Sequence, residues 1–88
     1  MNLEQRKLAR HALGLENGTK RSYRNRYFCT AGSAPDREWE QMATAGEAVR
    51  GGVTRGMAMF YLTHAAALSV CENGETLDPE DFPNDRLD

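Results

Sequence analysis

Apolar residues recur along this 88-residue chain with two different periods, and the switches between them outline its elements. Leu8, Ala9, Ala12 and Leu13 share one side of a 3.6-residue period. Asn2 is placed to cap, Gln5 holds the third helical position, and Gly14 suits the left-handed residue past a last turn, so the pattern predicts a helix over 2–13. Arg6, Lys7 and Arg10 fall mostly off the apolar face, and Leu15 can fold back onto the final turn. Asn17-Gly18 predicts a turn. The period then shortens to two. Ser22–Thr30 concentrates Tyr23, Tyr27 and Phe28 and reads as extended, with Tyr23, Asn25, Tyr27 and Cys29 on one side. Ser22, Arg24, Arg26 and Phe28 share the other side, and a strand with arginines on one face leaves that face to solvent.

Gly32 and Ser33 break the strand, and Ser33 begins a second helix as its cap. Pro35 is tolerated in the first turn, and Asp36 complements the positive end of the helix. Trp39, Met42 and Ala43 fall at i, i+3 and i+4 and predict the buried side; Gly46 closes the helix. After Glu47 a hairpin is expected, with a short strand Ala48–Arg50, a turn through Gly51, Gly52 and Gly56, and a returning strand Met57–Leu62 that is apolar on both faces. Thr63 caps a short helix from His64 to Val70 or Cys71, with Ala65, Ala66 and Leu68 as its apolar residues. Asn73-Gly74 turns the chain again. Asp78-Pro79-Glu80-Asp81 has the form of a cap and one helical turn, pinned by Phe82. The expected fold is α+β, three helices with a small antiparallel sheet, forming one domain over 1–83 with a frayed acidic tail at 84–88. Leu8, Leu13, Trp39, Phe60, Leu62 and Leu68 are its expected core.

Charge changes this picture more than composition does. Hydrophobic residues make up 40% and charged residues 27%, ordinary values for a globular chain. Residues 1–37, however, hold eight Lys/Arg against three Asp/Glu, net +5, and residues 38–88 hold three against ten, net −7. Such polarity favours docking on a charged partner. No apolar run approaches the roughly 18 residues of a membrane span, and the polar start from Asn2 argues against a secretory signal peptide, so a cytoplasmic protein is expected. Cys29 and Cys71 lie far apart and read as reduced, largely buried thiols. Together with His11 and His64 they offer no C-x-x-C or H-x-x-x-H spacing, so no metal and no cofactor is expected.

Two resemblances follow from these residues. The segment 36–71 has a helix ending at Gly46, a glycine-turned hairpin, and Phe60-Tyr61-Leu62-Thr63 leading into a helix. It is similar to the second half of winged-helix domains, though Ala66 stands where those domains often carry Gly. That resemblance implies a DNA-binding transcriptional regulator. The helix that would read DNA nevertheless carries Asp36, Glu38 and Glu40 against Arg37 alone, which phosphates repel. The longer pattern runs from Leu8-Ala9-Arg10-His11-Ala12-Leu13-Gly14-Leu15 through Ser22-Tyr23-Arg24-Asn25-Arg26-Tyr27, Trp39, Gly46 and Phe60-Tyr61-Leu62-Thr63. It ends with Gly74-Glu75 and Pro79-Glu80-Asp81-Phe82-Pro83, and it resembles a group of short phage and prophage proteins. This resemblance implies a virus-encoded accessory protein in bacterial cytoplasm, of the kind that binds a host protein or nucleoprotein complex and blocks a CRISPR or restriction system, or that regulates transcription.

The leading candidate for a contact face is Arg21, Tyr23, Arg24, Asn25, Arg26 and Tyr27. Arginine planes and tyrosine rings grip phosphates, stack on bases, or anchor protein interfaces. The acidic residues Glu75, Asp78, Glu80 and Asp81 are the second choice, as a surface imitating phosphates or as a segment folding back over Arg21–Arg26. Catalysis is not expected. Gly51-Gly52-Val53-Thr54-Arg55-Gly56 lacks the lysine ending of a phosphate-binding loop, no G-x-S-x-G elbow occurs, and carboxylates on a mobile tail hold no fixed separation. The sequence thus predicts a non-enzymatic binding protein.

Overall fold

The computed structural model describes residues 1–16 and 18–82. The first helix, α1 (Leu3–Leu13), is closed at both ends by the residues expected to close it. Asn2 Oδ1 accepts the Gln5 amide at 2.8 Å while Gln5 Oε1 accepts the Asn2 amide at 3.0 Å, a reciprocal capping box. At the other end Gly14 adopts φ +79°, its amide donates to the His11 carbonyl, and the Leu15 amide donates to the Arg10 carbonyl, which is the Schellman closure. Leu15 turns inward and is buried.

The second helix, α2 (Ala34–Thr44), starts where Ser33 Oγ accepts the Asp36 amide. Three antiparallel strands, β1 (Tyr27–Thr30), β2 (Ala48–Thr54) and β3 (Met57–Leu62), form one sheet in the order β1-β3-β2. A short helix, α3 (His64–Ser69), capped by Thr63, and a 3₁₀ turn at Pro79–Asp81, capped by Asp78, complete the described residues. Three helices and a three-stranded antiparallel sheet make this an α+β fold.

One face of the sheet carries the core. Trp39 of α2 stacks on Phe60 of β3, ring centroids 5.6 Å apart, and meets the tilted ring of Tyr27 of β1 at 5.4 Å. Leu13, Leu15, Met42, Leu62 and Val70 close around these rings. Burying such side chains contributes roughly 1.5–3 kcal/mol each, so this cluster is the main source of stability. Arg50, on the edge strand β2, reaches over the Phe60 ring at 5.2 Å to Asp36 and Glu40 of α2 and ties sheet to helix.

Four sequence expectations are corrected. The strand expected over Ser22–Thr30 is confined to Tyr27–Thr30, because residues 22–26 satisfy their backbone elsewhere. The Tyr23 and Arg26 amides donate to the Leu13 and Ala12 carbonyls, and Ser22 pairs with Thr76. That path reverses the expected sidedness at its start, where Ser22 is buried and Tyr23 is 57% exposed, while from Arg26 to Cys29 the expected alternation holds. In the hairpin, β2 continues to Thr54, with an irregular register between Arg50 and Gly52, and the turn falls at Arg55-Gly56. Both turn residues have positive φ, the geometry that two-residue hairpins require. Among the described residues the returning strand β3 is covered on one face only, leaving Tyr61 37% exposed. Finally, Leu68 is 55% exposed, since α3 buries Ala66 and Ala67, with Val70 after it, rather than Ala65 and Leu68; Leu8 is half-buried. The acidic tail expected at 84–88 and Asn17 of the Asn17-Gly18 turn lie outside the described residues.

Candidate functional site

The last turn of α1 organises the basic segment. A helix end exposes carbonyls without intrahelical partners and carries partial negative charge. Arg24 supplies what that end lacks: its Nη2 and Nε donate to the His11 carbonyl at 2.7 and 3.3 Å. The Tyr23 and Arg26 amides take the next two carbonyls at 3.2 Å each. The Tyr23 ring lies directly against Gly14, where a Cβ would collide with it, and the Arg24 guanidinium sits 5.2 Å from the centre of the same ring. A glycine at the helix end therefore serves two purposes, allowing the positive φ and admitting the tyrosine.

Beyond this turn the segment enters β1. Asn25 turns toward β3: its side chain donates to the Leu62 carbonyl at 3.0 Å and accepts the Leu62 amide at 2.9 Å. It extends the β1–β3 ladder by one side chain. Arg26 is exposed, and Tyr27 is half-buried between Trp39 and His11. Burial raises the Tyr27 phenol above its ordinary pKa, with smaller contributions from Cys29 and from Glu16 and Glu4. His11, Arg24, Arg26, Tyr27 and Phe28 line one surface recess of about 230 Å³.

The arginines divide by where their charge goes. Arg10 is bidentate to Glu75 at 2.7 and 2.8 Å and also donates to the Val70 carbonyl. Arg50 is held by Asp36 and Glu40, Arg6 lies 3.5 Å from Glu72, and Arg21 lies 3.7 Å from Asp78. Among the described residues, Arg24 and Arg26, like Arg37 and Arg55, have no carboxylate within 4.0 Å.

The acidic group is divided by the fold. Glu75 is buried against Arg10, whose hydrogen bonds bring its carboxyl pKa down to about 2, and it accepts the Glu72 amide as well. Asp78 caps the 3₁₀ turn and its amide donates to Ser22 Oγ, so the segment 76–78 lies alongside residues 20–22. Phe82 is buried and meets the His64 ring at 5.0 Å. Asp81 has one buried carboxylate oxygen without a hydrogen-bond partner. Burial raises its pKa, Asp78 and Glu80 add to that, and Arg26 opposes it. Glu80 is exposed. No three His, Cys, Asp or Glu side chains among the described residues group as a metal site would require. Burial raises both cysteine pKa values, which keeps the thiols protonated and poorly nucleophilic.

Sequence reasoning overlooked His11 as a member of this surface. Its signal was indirect: a histidine in the last turn of a helix whose free carbonyls attract an arginine from the next segment. No helix among the described residues is long and apolar enough to cross a membrane. No protein-family model, no curated protein and no solved structure matched the chain.

Proposed function

We propose that this chain is a non-enzymatic binding protein that engages a negatively charged macromolecular surface through Tyr23, Arg24, Arg26 and the recess they share with His11 and Phe28. One observation carries the reading. The fold spends Arg10 and Arg50 on its own carboxylates yet leaves Arg24 and Arg26 without one among the described residues, side by side and next to exposed rings. Arginine flanked by aromatics in a surface recess is the composition of an interface anchor. The setting implied by the phage resemblance makes the partner a host protein or nucleoprotein complex in bacterial cytoplasm, and the consequence of binding a block on a defence system.

Duplex-DNA regulation through α2, the alternative that the winged-helix resemblance implies, draws less support. The inner side of α2 is buried in Trp39 and Met42, Glu38 and Gln41 accept from Gln5 of α1, and the exposed side sets Glu40, held by Arg50, beside Arg37, a weak match for phosphates.

The test is affinity capture from host lysate with wild-type chain and with Arg24→Glu/Arg26→Glu, both checked for fold by circular dichroism. A partner retained at about 0.15 M salt by the wild type and lost with the variant supports the reading. A partner retained equally by both overturns it, and a steep salt-dependent shift of duplex DNA that survives the double substitution favours the regulator.

A further inference from the structure

The sheet has a second face, and its composition is selective. The three strands contain no Asp or Glu at any position. The face turned away from Trp39 presents Phe28, 57% exposed, on β1 and Met57, Met59 and Tyr61 on β3, with Val49 across from Tyr61 on β2. Phe28 pairs with Met59, so Phe28 and Tyr61 stand diagonally on adjacent strands with one step between them. The same register carried back one residue sets Arg26 beside Tyr61. Phe28 also lines the recess with Arg24, Arg26 and His11. At the far end of β3, roughly 17 Å away at about 3.3 Å per residue, the hairpin turn carries exposed Arg55, which makes no ion pair within 4.0 Å among the described residues.

Aromatic planes on strands that carry no acid, bounded by arginines and joined to a recess in which Glu16 pairs with His11, match one class of partner by charge and by shape. Each base offers a flat apolar surface to a ring, and each phosphate offers an anion to a guanidinium. An acidic protein surface would satisfy the arginines but would bring carboxylates against ring faces whose quadrupole repels them. A duplex would present phosphates without accessible base planes. We propose that this open sheet face and the adjoining recess bind single-stranded nucleic acid, with bases against Phe28 and Tyr61 and the backbone beside Arg24 and Arg26. The proposal rests on the reading above and names the class of partner for that same surface.

Fluorescence anisotropy with the full chain and a labelled oligothymidylate of about ten nucleotides tests it. Saturable binding at low salt is expected, in preference to a duplex of equal length. Phe28→Ala and Tyr61→Ala each weaken it by about 5- to 100-fold. Phe28 is 57% and Tyr61 37% exposed, so both variants are expected to keep the wild-type circular dichroism, with at most a small loss of stability. Arg24→Gln/Arg26→Gln is expected to lower the slope of log affinity against log salt by about 1.4. Absence of saturable binding, binding indifferent to both rings, or equal preference for duplex overturns the proposal. If the oligonucleotide does not bind while capture of a protein from nuclease-treated lysate still depends on Arg24 and Arg26, this inference fails and the broader reading stands. If that capture is indifferent as well, both fail.

Discussion

Asn25 shows how a residue chosen for its polarity is used by the fold instead. It sits between two arginines in the most basic stretch of the chain, and sequence alone assigns it to the same contact face. Its two hydrogen bonds to Leu62 make it a substitute for a strand residue. Asn25→Ala strips both partners from Leu62 and is expected to cost about 1–3 kcal/mol in urea denaturation, with Tyr27 and the recess losing their alignment. Glu75 and Asp81 are likewise parts of the fold, and they titrate in opposite senses. The Glu75 pKa is about 2, below its ordinary 4.5, so its contribution is present above pH 4.5 and lost as pH falls toward 2. The Asp81 pKa is raised, so its contribution is present below its ordinary 3.8 and lost as pH rises through the folded value. Urea midpoints followed from neutral to acid pH should therefore separate two variants. Glu75→Gln is expected to be less stable than wild type at neutral pH and to lose less on acidification. Asp81→Asn is expected to gain at neutral pH, where the buried carboxylate is otherwise charged without a hydrogen-bond partner on one oxygen.

The elements were largely legible in the chain because their ends are marked by chemistry that acts locally. Asn2 with Gln5, Gly14, Ser33, Thr63 and Asp78 each close or open an element where the sequence places them. What was not legible depends on distant partners. Residues 22–26 have strand composition, yet the free carbonyls of α1 compete for their amides and win. The open face of β3 was hidden by its uniform apolarity. A period of two cannot show which side is covered, and the helices of so small a chain cover only one side of the sheet. The same ambiguity misplaced Leu68, since a six-residue helix has too few turns to define its buried stripe. Leu68→Ser is therefore expected to shift stability by no more than about 0.5 kcal/mol, whereas Phe60→Ala, beneath Trp39, should cost about 3–5 kcal/mol by the same urea measurement. A large loss at Leu68 would mean that its side is covered.

Across the whole molecule, the charge asymmetry of the sequence becomes a pattern of partial self-neutralisation. The acidic residues 72–78 fold against Arg6, Arg10 and Arg21 and hold the end of the described chain in place. This pairs Arg6, Arg10 and Arg21 and leaves Arg24 and Arg26 without a carboxylate within 4.0 Å among the described residues, where the helix end and β1 meet. The position of the basic segment in sequence was readable; that its rings and arginines adjoin a bare sheet was not, because Phe28, Tyr61 and His11 come from three separate elements. Amide shift mapping by heteronuclear NMR during titration with oligothymidylate examines that surface as a unit. Perturbations should gather at residues 23–28 and 57–61 and at the end of α1, with α2 unaffected. Perturbations centred on α2, or none at concentrations that saturate anisotropy, would contradict it.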